Sequence, residues 1–285
     1  MRPFILPFIE RRVRAMMATR GVPARKVETP AGPIHVYDAK GTGSLPTIVL
    51  VHGFSASGVG FVPIMMRLRA HAKRVLIPDL PGHGLSGDPS VNLTLDALFD
   101  ATTAGLDELL GDDDYLLVGN SLGGLVSLAH AAKRPQSCRG IVLLSPAGAV
   151  SSRDEWDDLM SAFAMKTRRE ALHFTARVYH RVPFIARVLA HELPKNLQRR
   201  GVQDLLRSFT PDRAIPEGAL AELKMPIFLA WGMSERLLPD SHLAWWKKHL
   251  PAQAVVERPE GWGHCPHMDQ PDQVVDRIVS FFSRS

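Results

Sequence analysis

Cysteine is scarce in this chain: only Cys138 and Cys265 occur among its 285 residues. A fold held together by a disulfide framework needs more cysteines than that. The shortage therefore excludes such a framework, and it favours a reducing, intracellular setting. On that ground we expect a cytoplasmic protein.

Long apolar runs are also missing. The run from Phe4 to Ile9 is short, is broken by Pro7 and is followed directly by charged residues. A cleavable signal or a membrane span needs a longer uninterrupted apolar stretch. Apolar residues instead recur at helical spacing as far as Met17. We expect residues 1–25 to form an amphipathic helix or extension that packs on the domain, with a position on a membrane surface as the alternative.

Motifs for a metal or a nucleotide cofactor are absent as well. The chain has neither an H-E-x-x-H sequence nor the paired-cysteine spacing of a zinc site. Its Gly41-Thr42-Gly43 sequence lacks the rest of the dinucleotide-binding fingerprint. We therefore expect no metal and no cofactor.

Basic residues outnumber acidic ones, which gives a formal net charge of +5. We interpret the arginine clusters as solvated helix faces, and attraction to anionic lipid or anionic substrates is the alternative. A weak peripheral contact with a membrane therefore stays open. No recognition motif for nucleic acid accompanies the charge, so we expect no nucleic-acid partner. No feature of the sequence indicates whether the protein is a monomer or an oligomer. The clusters comprise Arg11, Arg12 and Arg14, then Arg168, Arg169, Arg177, Arg181 and Arg187, then Arg199 and Arg200.

Buried strands and helices alternate along most of the chain. Continuous apolar runs such as "TIVLVHG", "RVLIPDL", "YLLVGN" and "GIVLLSP" are typical of strands covered on both faces. Helical patterns near 59–70, 95–110 and 122–133 separate them, and the alternation resumes with "PIFLAWG" and "AVVERPE". This order predicts an α/β fold with a mostly parallel sheet and helices on both faces.

Residues 150–223 interrupt this alternation. They have helical periodicity, many charges and no convincing buried strand. We predict a helical cap, or lid, inserted into a core made of residues 26–149 and 224–285. Its large apolar residues are expected to be divided between the core of the lid and the substrate pocket: Met160, Phe163, Met165, Phe174, Phe184 and Leu189.

The sequence "VGNSLGG" places Ser121 directly after a predicted strand and directly before a predicted helix. This is the context of a G-x-S-x-G nucleophile elbow, in which a strained turn exposes the serine hydroxyl. Glycine two positions away on each side leaves room for that turn. A helix N-terminus behind the serine also favours negative charge on a developing oxyanion. Ser121 is therefore the candidate nucleophile.

A serine hydroxyl needs a base to remove its proton. The sequence "GWGHCPHMDQP" places His264 in a loop after the last predicted strand. Loops that follow parallel strands gather at one edge of the sheet, which is also the edge that displays Ser121. We take His264 as the base and keep His267 as an alternative. Cys265, beside it, is interpreted as a small packing residue.

Five motifs in order resemble the α/β-hydrolase fold family, and specifically its lidded serine esterases and lipases. They are "HGFSASG", "DLPGHGLS", "GNSLGG", "WGMSERLLP" and "GHCPHMDQP", and the resemblance runs from about residue 27 to the C-terminus. It implies Ser121 as nucleophile, His264 as general base and the backbone N–H groups of Phe54 and Leu122 as the oxyanion hole. For His52 it implies an ordering role in the loop, and for Asp79, Gly82, Gly84 and Ser86 a structural one.

Glu235 stands where the family usually has the aspartate of its triad. A glutamate can still accept a hydrogen bond from histidine Nδ1, as Ser-His-Glu triads show. Asp240 is the rival, but it follows Pro239 and is expected to cap the next helix. A second position, after "LLSPAG", carries no acid before Asp154. We therefore predict Glu235 as the acid.

Serine at the elbow implies acyl transfer, so the resemblance points to a carboxylesterase or lipase acting on a small-molecule ester through an acyl-enzyme. One alternative is a carbon–carbon bond hydrolase of ring-cleavage products, whose motif "GNSMGG" is close to "GNSLGG". In those enzymes tryptophan typically follows the base, whereas Cys265 and Pro266 follow it here. Another alternative is a non-catalytic binding protein on the same fold. The sequence predicts neither the substrate nor its acyl chain length.

Overall fold

The computed structural model describes residues 5–211, 213–216 and 218–284. These residues form one eight-stranded sheet with the order β1-β2-β4-β3-β5-β6-β7-β8. The pairs β1–β2 and β2–β4 are antiparallel, and the other neighbours are parallel. The predicted mostly parallel α/β fold is confirmed. The strands are β1 (Ala24–Val27), β2 (Ile34–Lys40), β3 (Thr47–Val51), β4 (Arg74–Pro78), β5 (Tyr115–Asn120), β6 (Cys138–Leu144), β7 (Ile227–Ala230) and β8 (Val255–Glu257).

The central strands are covered on both faces. In β3, Ile48 and Leu50 belong to the core on one side of the sheet, whereas Val49 and Val51 belong to the core on the other. All four side chains are inaccessible to solvent. Successive residues of a strand point to opposite faces, so a strand buried on both faces must be apolar throughout. This explains the continuous apolar runs of the sequence.

Helices cover both faces of this sheet. Side chains of α2 and α12 build one core, and side chains of α3, α4 and α10 build the other. The helix predicted near 59–70 is shorter than expected: a 3₁₀ turn at Gly58–Phe61 precedes it, because Pro63 fits only the first turn of an α-helix. The helices are α1 (Leu6–Thr19), α2 (Val62–Leu68), α3 (Leu95–Leu110), α4 (Leu122–Lys133), α5 (Arg153–Phe163), α6 (Arg168–Val178), α7 (Phe184–Leu189), α8 (Leu193–Leu197), α9 (Arg200–Ser208), α10 (Asp240–His249), α11 (Pro266–Asp269) and α12 (Pro271–Phe282).

Helices α5 to α9 all lie between β6 and β7, within the 150–223 segment. Two of them begin with capping boxes, in which a hydroxyl and a glutamate satisfy the free backbone N–H groups of the first turn. In α5 these residues are Ser152 and Glu155, and in α6 they are Thr167 and Glu170. The segment has a small apolar core of its own, which includes Met165.

Helix α1 lies within the predicted 1–25 extension, whose first four residues are outside the described part of the chain. Its Met17 is fully buried in the core that also contains α2 and α12. The N–H groups of Ile5 and Leu6 donate to the buried carboxylate of Glu192, at 2.7 and 3.1 Å. The helix therefore contacts both the core and the 150–223 segment. None of the described helices is long and apolar enough to cross a membrane.

Candidate active site

Ser121 is the single residue between β5 and α4, and its backbone is left-handed, with φ 54° and ψ −120°. A non-glycine residue rarely adopts such a conformation, which is the strain expected of a nucleophile elbow. The flanking glycines are required by space. A Cβ at Gly119 would lie 2.3 Å from the carbonyl oxygen of Gly123, and a Cβ at Gly123 would lie 2.1 Å from that of Val51. The turn can therefore form only with glycine at both positions.

The loop after β3 lies against this elbow. A Cβ at Gly53 would approach the Cβ of Ser121 to 3.2 Å, so the next residue, Phe54, is also close to the candidate nucleophile. Within the described chain, neither the N–H of Phe54 nor that of Leu122 has a hydrogen-bond acceptor. Unpaired backbone donors are uncommon in the interior of proteins. Two of them beside one serine could bind an oxyanion.

His52 orders this loop through both nitrogens of its ring. Its Nδ1–H donates to the carbonyl of Gly53 at 2.9 Å, and its Nε2 accepts from the N–H of Leu80 at 3.0 Å. Burial lowers the pKa of His52, which keeps the ring neutral. With both nitrogens occupied, the ring holds the loop in place and is not available for proton transfer.

The residues of the "DLPGHGLS" motif also make contacts that hold the surrounding loops in place. The buried carboxylate of Asp79 lies 3.0 Å from His35 Nδ1 and accepts from the N–H groups of Gly58 and Leu85. Ser86 donates to the Asp79 carbonyl at 2.6 Å. Gly84 is left-handed, and a Cβ there would collide with the Asp79 carboxylate. This network joins the segment around Asp79 to the residues after β3, through the N–H of Gly58.

His264 lies between the elbow and the acid loop. Its Nδ1 is 2.9 Å from Oε2 of Glu235, and the imidazole is almost fully buried. Its carbonyl accepts a hydrogen bond from Nδ2 of Asn120 at 2.8 Å, which ties it to the residue before Ser121. When Nδ1–H donates to a carboxylate, Nε2 carries the lone pair that can accept a proton.

Glu235 is the buried acid of the site, with no exposed side-chain surface. Its second oxygen, Oε1, accepts from the N–H groups of Leu237 and Leu238 at 2.8 and 3.1 Å. Burial acts to raise the pKa of Glu235, but the His264 imidazole and these hydrogen bonds outweigh it and hold the pKa below its usual range. Glu235 is therefore an anion facing the histidine.

Asp240 does not contact His264, and the prediction that it caps the next helix is wrong. The N-cap of α10 is Pro239, without a side-chain hydrogen bond, and Asp240 is already the first helical residue. Its exposed carboxylate instead pairs with Arg258 at 2.9 Å. An acidic side chain in the first turn of a helix still interacts favourably with the helix dipole, even when it is not the N-cap residue.

The two neighbours of the candidate base are packing residues. His267 stacks on Phe61 with ring centroids 4.1 Å apart, and burial lowers the pKa of His267 to about 3. Cys265 has its thiol 3.7 Å from Oδ1 of Asn120, and burial raises the pKa of that thiol far above its usual value. A thiol that stays protonated is a poor nucleophile.

A cavity opens directly onto Ser121. It encloses about 780 Å³ when the open space at its mouth is included. Its lining is predominantly apolar and comes from the elbow, the loop after β3 and the 150–223 segment. Representative lining residues are Phe54, Leu125, Trp156, Leu159, Met160 and Phe209.

The apolar residues of the 150–223 segment divide as the sequence suggested only in part. Met160 lines the cavity, and Met165 and Phe174 belong to the apolar core of the segment, whereas Phe163 contacts both. Phe184 does neither, because 81% of its surface is exposed. The sequence pattern alone could not separate these three environments, because helical periodicity does not show which part of the fold covers an apolar face.

Sequence reasoning missed the contacts between the 150–223 segment and the two loops that carry His264 and Glu235. The N–H of His264 donates to the carbonyl of Val178 at 2.8 Å. The guanidinium of Arg177 donates to the carbonyls of Arg236 and Leu237 at 2.9 and 3.2 Å. The end of α6 therefore supports both loops. No sequence motif marks these residues, because they act through the backbone of distant loops.

No group of three or more histidine, cysteine, aspartate or glutamate side chains is arranged to hold a metal ion in the part of the chain that the structure describes. The sequence-based expectation of no metal and no cofactor stays a prediction.

Comparison with known proteins agrees with this fold. A family model described as "Alpha/beta hydrolase family" matches residues 48–277. The curated protein Lipase 1 from Psychrobacter immobilis is 27% identical over 263 residues, which cover 87% of this chain and 80% of that protein. Among solved structures, a membrane phospholipase A described as a bacterial virulence factor superposes with a TM-score of 0.82 and 21% identity, over 98% of this chain and 93% of that one. A 2-hydroxy-6-oxo-6-phenylhexa-2,4-dienoate hydrolase from Rhodococcus sp. strain RHA1 superposes with a TM-score of 0.78 and 21% identity, over 93% of this chain and 100% of that one.

Proposed function

The chain belongs to the alpha/beta hydrolase family, and on that premise we propose that it hydrolyses carboxylic esters with a Ser121–His264–Glu235 triad. The observation that carries the proposal is the buried 2.9 Å contact between His264 and Glu235 in a loop tied to the strained Ser121 elbow. Similarity to a lipase supports ester hydrolysis at the family level.

In the first step the Ser121 Oγ attacks the ester carbonyl carbon while its proton passes to Nε2 of His264. The negative Glu235 carboxylate stabilises the imidazolium and holds Nδ1–H in the correct tautomer. The N–H groups of Phe54 and Leu122 donate to the oxyanion, an interaction for which each donor is worth about 3–4 kcal/mol in such enzymes. Collapse of the tetrahedral intermediate breaks the ester C–O bond, and His264 returns its proton to the departing alkoxide.

In the second step water attacks the acyl-enzyme. His264 takes a proton from the water, and a second tetrahedral intermediate forms in the same oxyanion hole. When the bond to Ser121 Oγ breaks, the proton moves from His264 to that oxygen. The carboxylic acid product leaves and the free serine is restored.

The cavity favours an ester with an apolar body. Its lining offers many aliphatic and aromatic side chains and few polar ones, chiefly Ser151, Arg213 and His242. Arg213 is engaged with Asp96 in a bidentate pair at 2.8 and 3.0 Å, and His242 contacts Ser151 at 2.9 Å. Because polar groups are few in this lining, and Arg213 and Ser151 already have partners, we propose that burial of the apolar acyl or alcohol group provides most of the binding energy.

We also propose that residues 150–223 form the lid of this site, residues 26–149 and 224–285 its core, and residues 1–25 an extension. The sequence between Ala171 and His191 contains no acidic residue. Helix α7, inside this stretch, exposes Phe184, Ile185 and Val188. Apolar side chains flanked by arginines suit an anionic lipid surface, so we place any peripheral membrane contact there.

Two rival functions are separated from ester hydrolysis by one set of assays. Purified protein is given short p-nitrophenyl esters and, in parallel, a ring-cleavage dienoate, and it is treated with a fluorophosphonate probe. We expect ester turnover and labelling of Ser121, both lost in Ser121→Ala, with labelling also lost in His264→Ala. Turnover of the dienoate in preference to the esters would favour carbon–carbon bond hydrolysis. Absence of both turnover and labelling would favour a non-catalytic binding protein.

A further inference from the structure

The loop that carries the proposed oxyanion donor makes a tight turn. The N–H of Ala56 donates to the carbonyl of Gly53 at 3.2 Å, so Phe54 and Ser55 are its two central residues. Ser55 has φ 57°, in the left-handed region. A turn with positive φ at its third position normally uses glycine or asparagine there. Serine at this position needs support from its surroundings.

That support comes from Asn196, on helix α8 of the 150–223 segment. Its Nδ2 donates to the carbonyl of Ser55 at 2.8 Å and lies 3.0 Å from the Ser55 hydroxyl. Asn196 is only 4% exposed, although its partner is 141 residues away in the sequence. A buried amide that bonds both the backbone and the side chain of one residue fixes the orientation of that residue.

The side chain of Phe54 is held by the same segment. Its ring meets Phe163 edge-on with centroids 5.0 Å apart, and Phe209 with centroids 5.2 Å apart. Aromatic pairs favour this arrangement at these distances. Both central residues of the turn are therefore fixed by the 150–223 segment, Phe54 through its ring and Ser55 through Asn196.

Helix α8 is itself anchored. Leu197, next to Asn196, is buried in the small core of the segment together with Met165. Lys195, on its other side, pairs at 3.0 Å with Glu192, whose carboxylate also binds the start of α1. The Asn196 amide is therefore presented to the turn from a fixed position.

We propose that Asn196 is a positioning residue for the oxyanion hole, which it acts on by holding the Phe54–Ser55 turn. This inference rests on the proposed function, in which the N–H of Phe54 binds the oxyanion. Stabilisation of an oxyanion acts on the transition state and hardly on the bound substrate, so its loss lowers kcat more than it changes KM. Misplacement of a catalytic group by about 1 Å from a distant change can cost about 100-fold in rate.

The test compares Asn196→Asp and Asn196→Ala with the matched control Gln203→Glu. Asn196→Asp keeps the shape but replaces the NH₂ donor by a carboxylate that repels the Ser55 carbonyl. Gln203 makes an equivalent bond within the segment, from Nε2 to the carbonyl of Leu197 at 2.6 Å, so this change perturbs α8 beside Asn196 but leaves the bonds from Asn196 to Ser55 in place. The control thus makes the same chemical change without touching the loop after β3. Thermal melts show whether each variant is folded.

Steady-state kinetics with p-nitrophenyl butyrate give the first readout. We expect kcat to fall about 10- to 100-fold in both Asn196 variants, with KM within about threefold of wild type. Inhibition by phenylboronic acid, which forms a tetrahedral adduct with serine, should weaken in step with kcat. Inhibition by butyrate, which does not need the oxyanion hole, should stay unchanged. Gln203→Glu should behave as wild type in all three measurements.

Two outcomes would overturn the inference. One is a kcat for folded Asn196→Asp and Asn196→Ala equal to that of Gln203→Glu. The other is an equal weakening of boronate and butyrate inhibition, which would indicate a general disturbance of the pocket. The fluorophosphonate reaction separates these outcomes from failure of the proposed function. An unlabelled wild-type protein would reject the serine hydrolase itself, whereas a labelled wild type with unaffected Asn196 variants would reject only the role of Asn196.

Discussion

Glu235 Oε2 lies 2.9 Å from Nδ1 of His264, and both side chains are almost inaccessible to solvent. A carboxylate so placed fixes the histidine tautomer and opposes the charge that develops on the ring. A surface acid could do neither at full strength, because water would screen it. This contact supports Glu235 over Asp240 as the candidate triad acid.

Glu235→Gln should lower kcat for p-nitrophenyl butyrate by about 10⁴-fold, as the comparable change in a serine protease triad does. The amide keeps the shape of the side chain but removes its charge, and it can favour the wrong histidine tautomer. Glu235→Asp should retain an intermediate activity, because the carboxylate remains but its reach is shorter. Steady-state kinetics of the three proteins measure both effects.

Asp240→Asn is the matched control, since it also neutralises an acid that follows β7, five residues after Glu235. Its carboxylate is exposed and pairs with Arg258 at the surface, so the loss in stability should stay below about 1 kcal/mol and kcat should hardly change. If Asp240→Asn abolished activity and Glu235→Gln did not, the triad assignment would be wrong. The serine hydrolase assignment would survive that result.

Glu10 should make the stability of the protein depend on pH. Burial, and then the negative charge of Asp79, raise the pKa of Glu10 from 4.5 to about 7. The folded state therefore binds the proton more tightly than the unfolded state does. The resulting stability is fully present below about pH 4.5 and is lost as the pH rises to about 7.

Glu10→Gln removes this dependence, because the amide stays neutral. We expect the variant to melt at a higher temperature than wild type at pH 8 and at a similar temperature at pH 4. Thermal unfolding of both proteins across this range measures the difference. A variant that is less stable than wild type at pH 8 would show that the charged form of Glu10 is stabilising, contrary to the raised pKa.

Leu159→Trp should shorten the acyl chains that the site accepts. Leu159 lines the cavity from α5, and a larger side chain would occupy space that a long acyl chain needs. We expect kcat/KM for p-nitrophenyl octanoate to fall at least about tenfold, while that for the acetate stays within about threefold. Ile185→Trp, on the exposed face of α7, is the control and should change neither. Equal losses for both esters would mean that acyl chains lie elsewhere.

The double variant Phe184→Ser/Ile185→Ser should lose binding to vesicles that contain anionic lipid. The two side chains are 81% and 58% exposed and would insert between lipid headgroups. Binding of the wild type should also fall with rising salt, because exposed charges are screened beyond about 8 Å at physiological ionic strength. Vesicle co-sedimentation measures both, and Val255→Ser, on edge strand β8, is the control. If the wild type did not bind these vesicles, the arginine clusters would be interpreted as solvated helix faces.

The sequence by itself determined the elements that depend on local pattern. Helices α3 and α4 run from Leu95–Leu110 and Leu122–Lys133, as their periodicity predicted. The strand order along the chain and the parallel character of the sheet follow from short apolar runs alternating with helices. The elbow at Ser121 could also be read directly, since its glycines are required by contacts within a few residues and with the adjacent strand.

Only the tertiary structure decided the relations between distant loops. Glu235 and Asp240 are both acids after β7, and the local argument that favoured Glu235, a capping role for Asp240, is wrong. The difference arises because the loop buries one against His264 and leaves the other beside Arg258. No sequence motif marks Asn196, because its proposed role depends on a hydrogen bond to Ser55, 141 residues away in the sequence. Which distant residues a side chain of the 150–223 segment can contact depends on how the helices of that segment pack. Helical periodicity indicates which face of a helix is buried, but it does not indicate what that face packs against.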